Sequence, residues 1–127
     1  MNRVLWVLQV VFGVYFLAVG VLHFIVPDGL PAQMEWMYEL SDTVHVLSGS
    51  AEILGGLGLI LPAITGIRPE LTSYAAYGLA LVMIGAIFWH VGRSEWTQIG
   101  FNVVNAAILV FIGYGRMRLH PIGARSD

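Results

Sequence analysis

Residues 4–26 read VLWVLQVVFGVYFLAVGVLHFIV, and Pro27 follows. Among these residues only Gln9 and His23 carry strongly polar side chains. At about 1.5 Å of rise per residue, such a run crosses the roughly 30 Å of hydrocarbon in a bilayer. Arg3 in front of it imitates a signal peptide, but the run is too long for an h-region and no small-x-small cleavage site follows it cleanly. The stretch reads as a retained membrane-spanning helix.

The rest of the 127-residue chain repeats the pattern. Further apolar runs cover residues 44–61, which stop at Pro62, then residues 71–91 and 99–115. Apolar residues make up 57% of the chain and charged residues 11%, less than half the usual charged share of about 25%, so too few charges remain to coat a water-exposed surface. Lipid offers unpaired backbone no water to bond, and no alternating ten-residue strand pattern is present, so the segments read as helices. The expected fold is all-α, a single integral membrane four-helix bundle with a short, poorly ordered tail over residues 119–127. Cysteine is absent, which removes disulfides, thiolate metal sites, iron–sulfur clusters and thiol redox chemistry. The net charge is −2 with no lysine, so nucleic acid is not an expected partner.

Arginine placement orients the chain. Arg3, Arg68, Arg116, Arg118 and Arg125 fall on one side of a four-span topology and Arg93 alone on the other, which predicts both termini in the cytoplasm. The loop from Pro27 to Thr43 then faces outward, carrying acidic residues, no basic ones, and enough apolar ones to lie on the membrane surface or cap the bundle. Trp36, Tyr38 and Trp96 read as an outer aromatic belt, Trp6 as an inner one, and Arg116 and Arg118 as headgroup anchors. Asp28, in VPDGLP, reads as a turn residue.

Glycines recur at heptad spacing: Gly13 and Gly20, Gly49 and Gly56, Gly78 and Gly85. A stripe of small residues lets membrane helices approach closely, so all six are expected at helix interfaces. The GGLG at residues 55–58 lacks the third glycine and the strand–turn–helix setting of a dinucleotide fingerprint, and packing is the better account.

Depth sorts the polar residues. In this topology His23, His45, Glu52, His90, Asn102 and Asn105 all fall in the outer half, and the inner half holds little beyond Gln9. His45, Ser48, Glu52 and Gly56 share one helix face, and Gln98, Asn102 and Asn105 share another. His90 sits about a third of a turn away from the Gly78–Gly85 stripe and is the least aligned member. A charge at a helix centre costs about 2.5–3.5 kcal/mol on insertion scales, so Glu52 is expected to face the bundle. Several chemistries use such a set. A proton or quinone site needs an acid, an imidazole and amide donors under aromatic cover, here Glu52, His23 or His45, Asn102 and Asn105 with Tyr15 or Trp89. Haem needs two facing histidines, His23 with His90 or His45. A metal needs a His/His/Glu set. The alternative is that these groups form interhelical hydrogen bonds that fix register. No metal is expected; quinone is the favoured ligand among these, ahead of haem.

Three stretches, VGVLHFIVPD, LSGSAEILGGLGLILP and LALVMIGAIFWH, together resemble the DoxX and DoxX-like family of small four-helix membrane proteins. The resemblance runs from about Gly13 to His90 and rests on His23, Pro27, Gly49, Glu52, Gly55, Gly56, Gly58 and His90. It implies a multi-pass protein of a bacterial-type inner membrane. It also implies an accessory or quinone-interacting subunit of a membrane oxidoreductase or oxidative-stress system, partnered by another protein or by copies of itself within the bilayer. Other similar proteins assist membrane-protein assembly, which leaves a non-catalytic, chaperone-like role as the alternative. A small transporter is a third, and four short helices make a large solute path unfavourable unless the protein oligomerises.

Overall fold

The computed structural model describes residues 1–126. Its elements are α1 (Asn2–Ile25), a 3-10 segment (Ala32–Glu39), α2 (Asp42–Thr65), α3 (Leu71–Val91), α4 (Trp96–Tyr114) and a π turn (Gly115–Leu119). Four helices among the described residues are long and apolar enough to cross a membrane. A 24-residue helix such as α1 measures about 36 Å, slightly more than the hydrocarbon core. The outward face is as apolar as the inside: Leu54 and Phe88 are more than two-thirds exposed. In water such a surface would drive aggregation, whereas in lipid it is the expected solvent-facing side.

Local chemistry sets the ends of α2. Ser41 caps its start, its Oγ accepting from Val44 N at 3.2 Å. Gly66, at φ 69°, ends it in the left-handed conformation, with its N–H donating to Pro62 O. The helix therefore passes through Pro62 instead of stopping there. One missing N–H near a helix end is tolerable when a glycine cap follows within a turn.

Helices α1 and α2 pair closely, α3 and α4 likewise, and α2 joins the two pairs by packing on α3; α1 and α4 make the loosest seam. The α1–α2 pairing rests on glycines. A Cβ on Gly20 would come within 2.9 Å of Gly49 O, and one on Gly56 within 2.7 Å of Gly13 O, so the backbones themselves touch. Phe16, Leu59, Leu79, Met83, Leu109 and Ile112 fill the centre.

The structure departs from the sequence expectation at Gly78 and Gly85. Nothing lies within 4 Å of a Cβ placed on either, and both face outward. The close contacts between α2 and α3 use Gly55 against Leu79 and Gly58 against Ala75 instead. The tail departs too. It returns to the α2–α3 turn, where Arg125 N donates to Gly66 O at 2.8 Å.

Arg116 is the largest departure at the end of the bundle that holds the termini. It is 4% exposed, not an anchor in the headgroups. The π turn brings its guanidinium inward. There Nε donates to Gln9 Oε1, and Nη1 donates to Asn2 Oδ1 at 2.6 Å and to His120 O at 3.0 Å. Its guanidinium carbon also lies 5.0 Å from the centre of the Trp6 ring. Gln9 in turn donates to Leu59 O at 2.9 Å, which ties the termini to α2.

Candidate functional site

At the opposite end, the four helices diverge around a cavity of about 850 Å³. Tyr15, Phe16 and Val19 of α1, Ser48 and Glu52 of α2, Met83 and Trp89 of α3, and Phe101 and Asn102 of α4 line it. The 3-10 segment closes the end of the bundle with Gln33, Met34 and Trp36. A cavity of this size, largely apolar with few polar groups, has the character of a small-molecule site.

His23 and Glu52 in its wall and His45 behind them form one connected row. The heptad spacing of His45 and Glu52 sets them on one face of α2, and Gly20 lets α1 close in so that His23 meets them. His45 Nε2 lies 2.8 Å from Met37 O, and His45 Nδ1 lies 2.9 Å from His23 Nδ1. His23 Nε2 lies 3.3 Å from Glu52 Oε2.

The partners assign the tautomers. Met37 O only accepts, so His45 carries a proton on Nε2, and in its neutral form it accepts at Nδ1. Opposite a neutral His45, His23 donates from Nδ1 and turns Nε2 to Glu52. A carboxylate against an unprotonated Nε2 is repulsive, so the pair holds one proton, on the acid or on the imidazole. The row ends at a carbonyl on a fully buried residue, which has no proton to hand on.

Glu52 lacks a well-formed hydrogen bond at Oε2. The residue is 4% exposed, and Oε2 is fully buried without a formed hydrogen bond. Such a group costs about 1–3 kcal/mol or more unless something completes it.

His90 reaches the cavity from α3 and is only 2% exposed. Its Nδ1 lies 3.2 Å from Glu95 Oε1, which also accepts from Arg93 Nε at 2.8 Å. Arg93 continues the network, with its guanidinium carbon 4.7 Å from the centre of the Trp89 ring and Nη2 4.0 Å from Glu39 of the 3-10 segment. Partial burial pushes the Glu95 carboxyl up, but the hydrogen bonds from His90 and Arg93 outweigh it and hold the group below the usual glutamate range.

Trp36 does more than the aromatic belt expected from the sequence would require. Its ring sits 5.3 Å from His90 and 6.2 Å from His23, covering the cavity between them. The Tyr38 hydroxyl donates to Pro27 O at 2.8 Å and accepts from Leu30 N, pinning the loop that carries Trp36. The available signal was the loop's mixture of apolar and acidic residues, which fits a cap as well as a surface segment.

Asn102 faces the cavity, but Asn105 does not join it. Asn105 donates to Phe101 O at 3.0 Å within its own helix. Gly85 lines the cavity, which explains the empty space beside it. Haem fits poorly at His23 and His45. Those rings are spent on each other, too close to sit on opposite sides of one iron. Among the described residues no group of three His, Asp or Glu side chains could hold a metal ion.

A model of the DoxX-like family matches residues 7–112, which takes in every cavity-lining residue. The chain belongs to the DoxX-like family. No curated protein and no solved structure matches it significantly. This DoxX-like protein is thus a multi-pass integral membrane protein whose four apolar helices contact the bilayer. The family match extends through α4, beyond the three stretches that carry the resemblance in the sequence.

Proposed function

We propose that this DoxX-like protein is a quinone- or quinol-binding accessory subunit of a membrane oxidoreductase or oxidative-stress system. The observation that carries the reading is Glu52: a buried carboxyl whose Oε2 has no formed hydrogen bond, at the wall of a largely apolar cavity and beside the His23 imidazole. A neutral ring bearing carbonyl or hydroxyl oxygens suits that wall. Glu52 and His23 exchange one proton with such an oxygen, Asn102 offers an amide to the other side, and Trp36, Trp89 and Tyr15 supply aromatic cover. The electrons belong to a partner protein, because a chain without cysteine has no thiol route. The proposed setting is a bacterial-type inner membrane with both termini in the cytoplasm, so that the capped end faces outward.

A second reading has its own support. The bond between His45 and Met37 O anchors the 3-10 cap, so the histidine row also serves structure, and an assembly role needs no ligand. Titrating the purified protein with a soluble benzoquinone separates the two. Saturable binding is expected, lost at least about tenfold in Glu52→Leu and retained in Glu52→Gln but without its pH dependence. Equal binding by wild type and the folded Glu52→Leu variant, or none by either, rejects the quinone reading in favour of the assembly role.

A further inference from the structure

The cavity is covered toward water and open toward lipid. Met34 and Trp36 lie over its end, whereas Leu47, 66% exposed on the outer face of α2, and Gly85, outward-facing on α3, are both part of its wall. One opening therefore lies between α2 and α3, within the membrane-spanning length; exposed Tyr15 and Phe101 put a second stretch of the wall at the α1–α4 seam. A groove of about 420 Å³ continues from the α2–α3 opening along the same two helices. Ala51 lines both spaces, and Gly78 forms part of the groove beside Leu54 and Tyr74. From Leu71 to Gly85 this path extends about 21 Å along α3, roughly parallel to the acyl chains of the bilayer.

Two independent facts mark the path as a place for a ligand. The outward glycines Gly78 and Gly85 leave unfilled space where side chains would stand. Glu52, buried and with no formed hydrogen bond to its Oε2, lies at the cavity end of the same path. A polar end and an apolar, elongated continuation together match an amphiphile. We infer that the α2–α3 groove holds the apolar tail of the cavity's own ligand, a membrane lipid with a small neutral hydrogen-bonding ring and a long hydrocarbon tail, which enters sideways from the bilayer past Gly85. The inference rests on the headgroup reading above and adds the direction of entry and the need for a tail.

The test uses two probes on the full chain reconstituted in lipid nanodiscs: a tail-less benzoquinone, and the same ring with a long alkyl tail ending in a photoreactive group. Gly78→Phe places a ring in the groove outside the cavity, and its Cβ starts in open space. The variant is expected to bind the tail-less probe as wild type does and the tailed probe about tenfold or more weakly, the size of an overpacking clash. On wild type the photoreactive end is expected to label Leu54, Leu71 or Tyr74. Labelling at Tyr15 or Phe101, on the loose α1–α4 seam, overturns the groove assignment, as does unchanged affinity of Gly78→Phe for the tailed probe. In both cases binding of the tail-less probe leaves the headgroup reading standing. Failure of wild type to bind the tail-less probe rejects that reading instead.

Discussion

His23 Nδ1 lies 2.9 Å from His45 Nδ1, and only one of the two nitrogens can hold the proton between them. Because His45 is committed to Met37 O through Nε2, the proton belongs to His23. Nitrogen-15 NMR of the histidine rings at neutral pH should therefore show His23 protonated at Nδ1, and His45 protonated at Nε2 with an unprotonated Nδ1. The opposite assignment for His23 would sink the tautomer argument. His45→Ala removes both bonds of that ring and should cost about 2 kcal/mol of stability at roughly 1 kcal/mol per bond, measured by denaturation in detergent.

Glu95 makes a pH prediction outside the spanning segments. Its folded carboxyl titrates below the usual value because His90 and Arg93 donate to it despite partial burial. A depressed carboxyl stabilises the fold above its unfolded value of about 4.3, and that contribution is lost as pH falls through the lower folded value. The melting temperature should drop over that acidic window in wild type and drop less in Glu95→Gln. Identical acid profiles would show that the His90–Glu95–Arg93 network does not contribute.

What the sequence made legible follows from what a bilayer constrains. Length and apolarity of residues 4–26 and the later runs determine four spanning helices, because hydrocarbon tolerates little else. The facing of α3 was illegible for the same reason. Lipid and core are both apolar, so Gly78 and Gly85 carry no label saying which side they face. Glycine spacing marks small cross-section, and small cross-section serves a helix contact at Gly20 and an empty groove at Gly78 equally well. Arg116 was hidden by the π turn, which rotates a residue at the end of the fourth span back toward Gln9. Trp36 was hidden because the fold of an irregular cap depends on Tyr38 and Pro27 meeting across the loop.

Arg116 and Gln9 should behave as one unit. Gln9→Leu leaves a buried guanidinium short of an acceptor and should cost about 1.5–3 kcal/mol, the range for a hydrogen bond to a charged group. Removing the charge as well, in Gln9→Leu with Arg116→Met, should recover part of that loss, since apolar replacement of both partners is often nearly neutral. A double-mutant cycle measures the coupling. Strict additivity of the two single effects would mean that the pair, although in contact, does not act together.

Gly49 and Gly78 offer the same one-methyl substitution in opposite surroundings. A Cβ on Gly49 meets Gly20 O and His23 Cβ, each at 2.9 Å, and neither backbone nor site side chain has room to give. Gly49→Ala should therefore separate α1 from α2 and cost about 1–3 kcal/mol. It should also disturb the His23–His45 bond, which the histidine NMR signals would report. A Cβ on Gly78 meets nothing within 4 Å, so Gly78→Ala should stabilise α3 by up to about 1 kcal/mol through helix propensity alone. Parallel denaturation of the two variants reads the difference directly. If both were destabilised alike, α3 would be pressing Gly78 against a neighbour, and the groove between α2 and α3 would not exist as an open path.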